Sequence, residues 1–185
     1  MLELEQVRRY AWADEDANLA WTVAVIVGST TDEVVTAYGG SSEEPRLMTF
    51  REAGVDGSTR EGESNLLVLR NECHVAIENN GWAGKNVETA KRASRSGQFF
   101  SVYWSLNANY MVTQAVDGKL VAHFDPLTVQ HPAPIGETYP DWITDVVFTD
   151  DNLHAILLAT VEEHTGVAFE AAWLADPLPT YLIPA

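Results

Sequence analysis

Three consecutive apolar segments in the middle of the chain predict β-strands, and the third alternates its side chains with the two-residue period of a strand. They read QFFSVYWSL, NYMVTQAVDG and KLVAHFD, and short turns join them. Asp117-Gly118, between the second and third segments, is a favoured two-residue hairpin turn. In the third segment, Leu120, Ala122 and Phe124 share one face. The pattern therefore predicts an antiparallel meander over about residues 98–125.

Other apolar patterns predict strands and helices around this meander. The run LAWTVAVIV is typical of a buried strand, and NLLVLRN and CHVAIEN predict one or two more. A short helix is expected to begin at Thr30 or Thr31. The clearest helix is DDNLHAILLATVEEHTG, with an N-cap at Asp150 or Asp151 and an end at Gly166. We therefore predict an α+β fold in which an antiparallel sheet packs against helices. A parallel, doubly wound sheet is the alternative, because two helices follow strands.

Length and composition favour a single domain over residues 1–185. A chain of 185 residues, of which 46% are hydrophobic, is long enough to bury a core. No apolar run approaches the roughly 18 residues of a membrane span, and the N-terminal residues lack a secretory pattern. Cys73 is the only cysteine, so the chain cannot form an internal disulfide. These features predict a cytoplasmic protein with no membrane segment.

The net charge of −16 is distributed unevenly along the chain. Residues 1–95 carry ten of the 11 basic side chains against 16 acidic ones, whereas residues 96–185 carry Lys119 alone against 11 acidic side chains. Nucleic-acid binding depends on Lys and Arg side chains that neutralise phosphates, so the composition argues against DNA or RNA as a partner. A basic protein is the partner that the charge favours. The alternative is that the acidic surface only keeps the protein soluble.

The segment NNGWAGKN, between a predicted strand and a predicted helix, has some features of a phosphate-binding loop. A Walker loop also requires a glycine at its start and a Ser or Thr after its lysine. Asn79 and Asn86 stand at those two positions. We therefore predict structural roles, in which Asn80-Gly81 makes a tight turn and Asn86 caps the next helix. A weak anion site at the helix N-terminus is the alternative.

The sequence offers no complete catalytic or metal-binding set. It contains neither an H-E-x-x-H zinc helix nor a G-x-S-x-G nucleophile motif. Cys73 and His74 are adjacent on a predicted strand, where neighbouring side chains point to opposite faces. His123, Asp125 and His131 would form a two-His, one-carboxylate metal site only if the fold brought them together. We therefore predict no cofactor, no metal and no catalytic residue. A metal-dependent hydrolase at those three residues is the enzymatic alternative.

Several motifs follow one another along most of the chain. They include E-x-N-G-W-x-G from Glu78 to Gly84, then F-S-V-Y-W-S-L-N-A-N, then A-V-D-G-K-L-V-A-H-F-D-P. Their order resembles that of an uncharacterised group of actinobacterial proteins that is classed as a domain of unknown function. The resemblance extends from about Tyr10 to Leu174. It implies a cytosolic α+β domain with no assigned activity, and it carries over no catalytic residue.

We expect the chain to be a binding module, immunity-like or regulatory, that docks a basic protein rather than an enzyme. Tyr139 and Trp142, in or beside a predicted loop, are the expected aromatic anchors of that contact. The sequence leaves the oligomeric state open. The alternative is a small-ligand domain with a pocket at the end of the meander. Its expected ligand-binding residues are Trp82, Trp104, Asn107 and Asn109.

Overall fold

Eight strands form one sheet in which every neighbouring pair is antiparallel. The strands are β1 (Trp21–Val27), β2 (Arg46–Met48), β3 (Glu63–Arg70), β4 (His74–Asn79), β5 (Gln98–Trp104), β6 (Tyr110–Val116), β7 (Lys119–Phe124) and β8 (Leu178–Pro184). The computed structural model describes residues 2–15, 20–70, 72–129 and 134–185. The strand order is β2-β8-β3-β4-β1-β5-β6-β7. The almost wholly buried β1 therefore lies inside the sheet, between β4 and β5.

Helices cover both faces of the sheet, so two apolar clusters form. The helices are α1 (Leu4–Arg9), α2 (Trp12–Glu15), α3 (Thr31–Ala37), α4 (Phe50–Ser58), α5 (Val87–Ala93) and α6 (Leu153–Thr165), with 3₁₀ turns at Ala83–Lys85, Asp141–Asp145 and Ala171–Leu174. On one face, Trp21, Val23 and Val25 of β1 share a cluster with residues of α4 and α6. On the other, Ala24 and Ile26 share a cluster with residues of α3 and α5. The result is an α+β domain with the sheet as its middle layer.

The predicted meander is confirmed as β5, β6 and β7. Asp117 and Gly118 join β6 to β7 with φ angles of 49° and 73°, the left-handed conformation that a type I′ hairpin turn requires. Ala122 and Phe124 are buried in the core, while His123 lies beside Thr113 on the other face. Because all strand pairs in the described sheet are antiparallel, the alternative of a parallel, doubly wound sheet is wrong.

The apolar C-terminal segment forms a strand within the sheet. This strand, β8, pairs with β2 on one side and with β3 on the other. Thr180, for example, lies opposite both Arg46 and Leu67. Such pairing depends on contacts between residues that are far apart in the chain, which no local pattern encodes.

The N-terminus of α6 is capped by a residue from a distant part of the chain. α6 has 13 residues, and no helix in the described ranges is long and apolar enough to cross a membrane. Its N-cap residue is Asn152, which makes no side-chain cap bond, and neither of the two predicted aspartates caps it. Instead, the Asp14 carboxylate of α2 accepts hydrogen bonds from the backbone N–H groups of His154, at 2.9 Å, and Ala155, at 3.0 Å. An anion at this end of a helix satisfies free amides and favours the helix dipole.

Replacing Asp14 with Ala is expected to lower the free energy of unfolding by about 1–2 kcal/mol, because two N–H groups of α6 lose their acceptor. Urea unfolding at neutral pH measures this change. Asp151→Ala is the matched control, since it removes an exposed carboxylate beside the same helix and should change stability by less than about 0.5 kcal/mol. Equal losses in the two variants would mean that negative charge in general, and not the Asp14 bonds, stabilises α6.

Candidate functional site

The loop between β4 and α5, residues 80–86, lies across one face of the sheet, and we call it the crossing loop. Hydroxyl groups from three strands donate hydrogen bonds to its backbone carbonyls. Thr22 of β1 binds the carbonyl of residue 81 at 2.7 Å, Ser101 of β5 binds that of residue 84 at 2.7 Å, and Thr113 of β6 binds that of residue 85 at 3.1 Å. All three side chains are buried. These bonds fix the crossing loop to the sheet at intervals along its length.

Glu78, the residue of β4 opposite Thr22, binds the crossing loop through the loop's backbone N–H groups. Its carboxylate accepts hydrogen bonds from the backbone N–H groups of Ala83, at 2.9 Å, and Gly84, at 2.7 Å. Only 1% of Glu78 is exposed. Gly84 has no room for a side chain, because a Cβ there would lie 2.8 Å from Thr22 Cγ2 and 2.8 Å from Tyr38 Oη. The motif from Glu78 to Gly84 therefore specifies close backbone packing around a buried carboxylate.

The same hydrogen bonds decide whether the crossing loop has free amides that could bind a phosphate. The amides of Ala83 and Gly84, which a phosphate would need, already bind the protein's own Glu78. Asn80 has a φ of 57°, the left-handed conformation expected for its turn. Asn86 stands at the N-cap of α5 as predicted, but its side chain makes no capping bond. The segment has a structural role, as the sequence predicts, with a carboxylate in place of a bound anion.

The buried carboxyl group of Glu78 has no cationic partner among the described residues. Burial raises its pKa from 4.5 to about 7, although the N–H bonds from Gly84 and Ala83 act in the opposite direction. Among the described residues, no Lys, Arg or His forms an ion pair with it. The buried Tyr38 hydroxyl also has no hydrogen-bond partner within the described part of the chain, and burial and the charge of Glu78 together raise the pKa of Tyr38.

A cavity of about 180 Å³ lies beside the crossing loop, where β3 begins and β4 ends. Glu78 and Asn79 of β4 line it together with Trp82 of the crossing loop and Ser64 of β3. Trp82 is 48% exposed, unusually high for a tryptophan. The cavity therefore combines a buried carboxylate, polar groups and an available aromatic ring.

A second feature is a group of carboxylates around Tyr110, at the start of β6. Burial raises the pKa of Tyr110, and the negative charges of Asp150, Asp125 and Asp14 raise it further. Burial likewise raises the pKa of Asp125, with a further contribution from Glu137. We call these five residues the Tyr110 surface. Asp14 lies near the start of the chain, whereas the other four residues lie between positions 110 and 150.

Exposed apolar side chains come from the same segments as the Tyr110 surface. Leu106, in the β5–β6 turn, is 63% exposed. Val147 is 77% exposed and lies between Asp145 and Asp150, in the segment before α6. Leu127 is also exposed, and its backbone N–H binds Asp125 Oδ1 at 2.9 Å. Apolar groups among charges are characteristic of surfaces that bind proteins.

The structure does not bring together the four residues expected to bind a small ligand. Trp104 is only 1% exposed and belongs to the core, where its ring contacts Trp21 edge-on at 4.9 Å and stacks on His154 at 4.5 Å. Asn107 and Asn109 are exposed in the turn that follows Trp104. Trp82 lies apart from all three, in the crossing loop on the other face of the sheet. The cavity beside Trp82 was not predicted, because its walls come from α4, β3, β4 and the crossing loop.

The two aromatic residues expected to anchor a protein partner are partly buried. Tyr139 contacts Phe124 edge-on, with ring centroids 5.8 Å apart. Trp142 stacks on Phe100 at 6.0 Å and donates a hydrogen bond from Nε1 to Gln114 Oε1 at 3.0 Å. Both rings are therefore tied to the core and leave only part of their surface to a partner.

The possible metal site cannot be assembled from described residues. His123 makes a hydrogen bond with Thr113 Oγ1 at 3.1 Å, and Asp125 lies beyond the end of β7. The third residue of the expected set, His131, lies outside the described residues. Within the part of the chain that the structure describes, no group of three or more His, Cys, Asp or Glu side chains is arranged to hold a metal ion.

The fold and the two sites define an α+β domain with a buried glutamate under a glycine-containing loop and a carboxylate-rich surface at the end of its meander. No family model, curated protein or solved structure matches the chain. The function proposed below therefore rests on the chain's own residues.

Proposed function

We propose that this protein is an acidic binding module that docks a basic protein in the cytosol through the Tyr110 surface, in an immunity-like or regulatory role. The observation that carries the proposal is that the negative charges of Asp14, Asp125 and Asp150 all raise the pKa of one side chain, Tyr110. We also propose that the chain belongs to the actinobacterial group that its motifs resemble.

The distribution of ion pairs supports this choice of surface. In the first half of the chain, cations accompany the acids: Arg46 and Arg60 both bind Asp56, at 2.9 and 2.8 Å, and Lys91 binds Glu88 at 3.1 Å. At the Tyr110 surface, the only ion-pair contact among the described residues is with a histidine ring, His154 Nδ1, 3.3 Å from Asp14. Carboxylates that lack Lys or Arg partners keep a negative field, which attracts a positively charged protein and weakens with salt.

Exposed apolar groups give the surface a second means of binding. Charge alone speeds encounter and selects partners, whereas desolvated apolar contacts supply much of the affinity. Leu127, beside Asp125, and the exposed Leu106 and Val147 of the neighbouring segments are available for such contacts. A partner with Lys or Arg side chains around an apolar centre would complement both features.

The test compares two variants with the same loss of charge. Asp125→Asn/Asp150→Asn/Asp151→Asn removes three carboxylates at or beside the Tyr110 surface, and Glu43→Gln/Glu61→Gln/Glu72→Gln removes three exposed ones elsewhere. A partner is first captured from extracts of the source cells at low salt, identified, purified and titrated against each protein by calorimetry. We expect a basic partner whose affinity falls about tenfold for the first variant, which is about 1.4 kcal/mol, and less than about threefold for the control.

Three outcomes would contradict the proposal. If no basic protein is captured at low salt, the proposed kind of partner is wrong. Equal weakening by the two variants would mean that net charge, and not the Tyr110 surface, attracts the partner. Binding that does not change between low and high salt would contradict an electrostatic contact.

A further inference from the structure

The cavity beside the crossing loop has an excess of negative charge. Glu78 lines it and has no ion-pair partner among the described residues, and Glu63 and Arg60 line it too. Arg60 does not offset Glu78, because its guanidinium already binds Asp56 at 2.8 Å and Glu63 at 3.3 Å. The cavity therefore lacks one positive charge to balance its buried carboxylate.

Glycines form part of the cavity wall. Gly54 and Gly57 of α4 contribute no side chain to its wall. A Cβ at Gly81 would lie 2.6 Å from Glu78 Oε2 and 3.2 Å from Ser64 Oγ, so these two oxygens meet at a corner that only glycine leaves unobstructed. The carboxylate and the hydroxyl are the acceptors that an N–H donor in the cavity would find there.

Trp82 supplies a second group that suits a cation. Its ring is half exposed at the edge of the cavity, and an indole face is the best aromatic partner for an ammonium group. A tryptophan held open to solvent beside a buried carboxylate is the combination that recognises alkylated or primary ammonium groups.

We propose that this cavity binds a small organic cation, with its ammonium group between Glu78 and the face of Trp82. The volume of about 180 Å³ is below the roughly 300 Å³ at which pockets accept drug-sized molecules, so the ligand is a small amine rather than a peptide or nucleotide. The cation supplies the counter-charge that Glu78 lacks, which is a source of binding energy that a neutral molecule of the same shape does not have. This inference does not depend on protein docking at the Tyr110 surface.

Calorimetric titration of the full chain with matched probes tests the inference. The probes are choline, its neutral isostere 3,3-dimethylbutanol, butylamine and butanol. We expect saturable binding of at least one of the two cations and at least tenfold weaker binding of its neutral counterpart. Trp82→Ala should weaken cation binding about tenfold, as expected for a partly desolvated cation–π contact, and Glu78→Gln should abolish the preference for the cation.

Leu4→Ala is the control, because it truncates a similarly exposed apolar side chain of α1 that does not line the cavity, and its affinity should equal that of the wild type. Trp82→Ala keeps the experiment decisive if Glu78→Gln does not fold, since the Trp82 ring is largely outside the core. Equal affinity for a cation and its neutral isostere, absence of saturable binding by both cations, or unchanged affinity in Trp82→Ala would each overturn the inference.

Discussion

Gly84→Ala is expected to lower the free energy of unfolding by about 2–3 kcal/mol, as overpacking of a rigid interior does. The added Cβ would lie 2.8 Å from Thr22 Cγ2, 2.8 Å from Tyr38 Oη and 3.0 Å from Glu78 Oε1. All three neighbours are buried, so none can move away freely. If the crossing loop shifts instead, the hydrogen bond from the Gly84 N–H to Glu78 is strained or lost. Chemical denaturation with a constant m-value measures the loss.

Gly57→Ala is the control for this experiment. An added Cβ at Gly57 meets only Asn65 Nδ2, at 3.6 Å, and the residue lies within α4. Alanine there is expected to be neutral or to stabilise the protein by up to about 1 kcal/mol, because glycine has more conformational entropy to lose on folding. Wild-type stability in Gly84→Ala would mean that the crossing loop packs less closely on the sheet than the structure indicates.

Elements specified by neighbouring residues are the ones that the sequence predicts well. The helix start at Thr30 is an example: Thr30 Oγ1 accepts a bond from the Glu33 N–H at 3.2 Å, and the Glu33 carboxylate accepts one from the Thr30 N–H at 2.7 Å. The hairpin at Asp117-Gly118 is another. In both cases, the interacting groups lie within a few residues of one another, so a short pattern contains the whole cause.

Strand β8 and the Asp14 cap could not be predicted in the same way. The tail that forms β8 contains Pro179 and Pro184, residues that are uncommon inside sheets, and its partners lie far back in the chain. Asp14 belongs to a polar segment that resembles a turn, yet its carboxylate caps a helix about 140 residues later. In each case, the cause is a contact that exists only in the folded chain.

The role of Glu78 was only partly visible in the sequence. The glycines after it indicated tight turns, which is correct, but a glutamate at the end of a strand is more often exposed than buried. One feature does indicate that Glu78 is buried. It lies on the same strand face as Ala76 and His74, both of which are buried. Its function as an anchor for the crossing loop also depends on Thr22, whose bond to the loop spans 59 positions.

The acidic character of the Tyr110 surface was predicted from composition, but its location was not. A count of charges shows that residues 96–185 carry almost no cations. It does not show that Asp14, from the N-terminal helices, lies with Asp125 and Asp150 around one side chain. Conversely, Tyr139 and Trp142 lie in or beside a predicted loop, which favours exposed rings, but the structure ties both rings to the core.

Glu78→Gln is expected to change how stability depends on pH. The folded protein raises the pKa of Glu78 from 4.5 to about 7, so between these values the folded state holds a proton that the unfolded state releases. The contribution of Glu78 to stability is therefore complete below about pH 4.5 and is lost as the pH rises through about 7. Glutamine does not titrate. The free energy of unfolding of the variant, relative to wild type, should rise by about 2–3 kcal/mol from pH 5 to pH 8.

The difference between the two proteins is the quantity to measure, because other groups act in the opposite direction. Burial lowers the pKa of His74, His123 and His164, so their contributions to stability are lost as the pH falls, and they partly mask Glu78 in the wild-type curve. Both proteins contain these histidines, and the effect cancels on subtraction. Loss of one acceptor in the glutamine variant shifts its whole curve without changing the slope. Parallel curves from pH 5 to pH 8 would mean that Glu78 ionises in the folded protein as readily as in the unfolded chain.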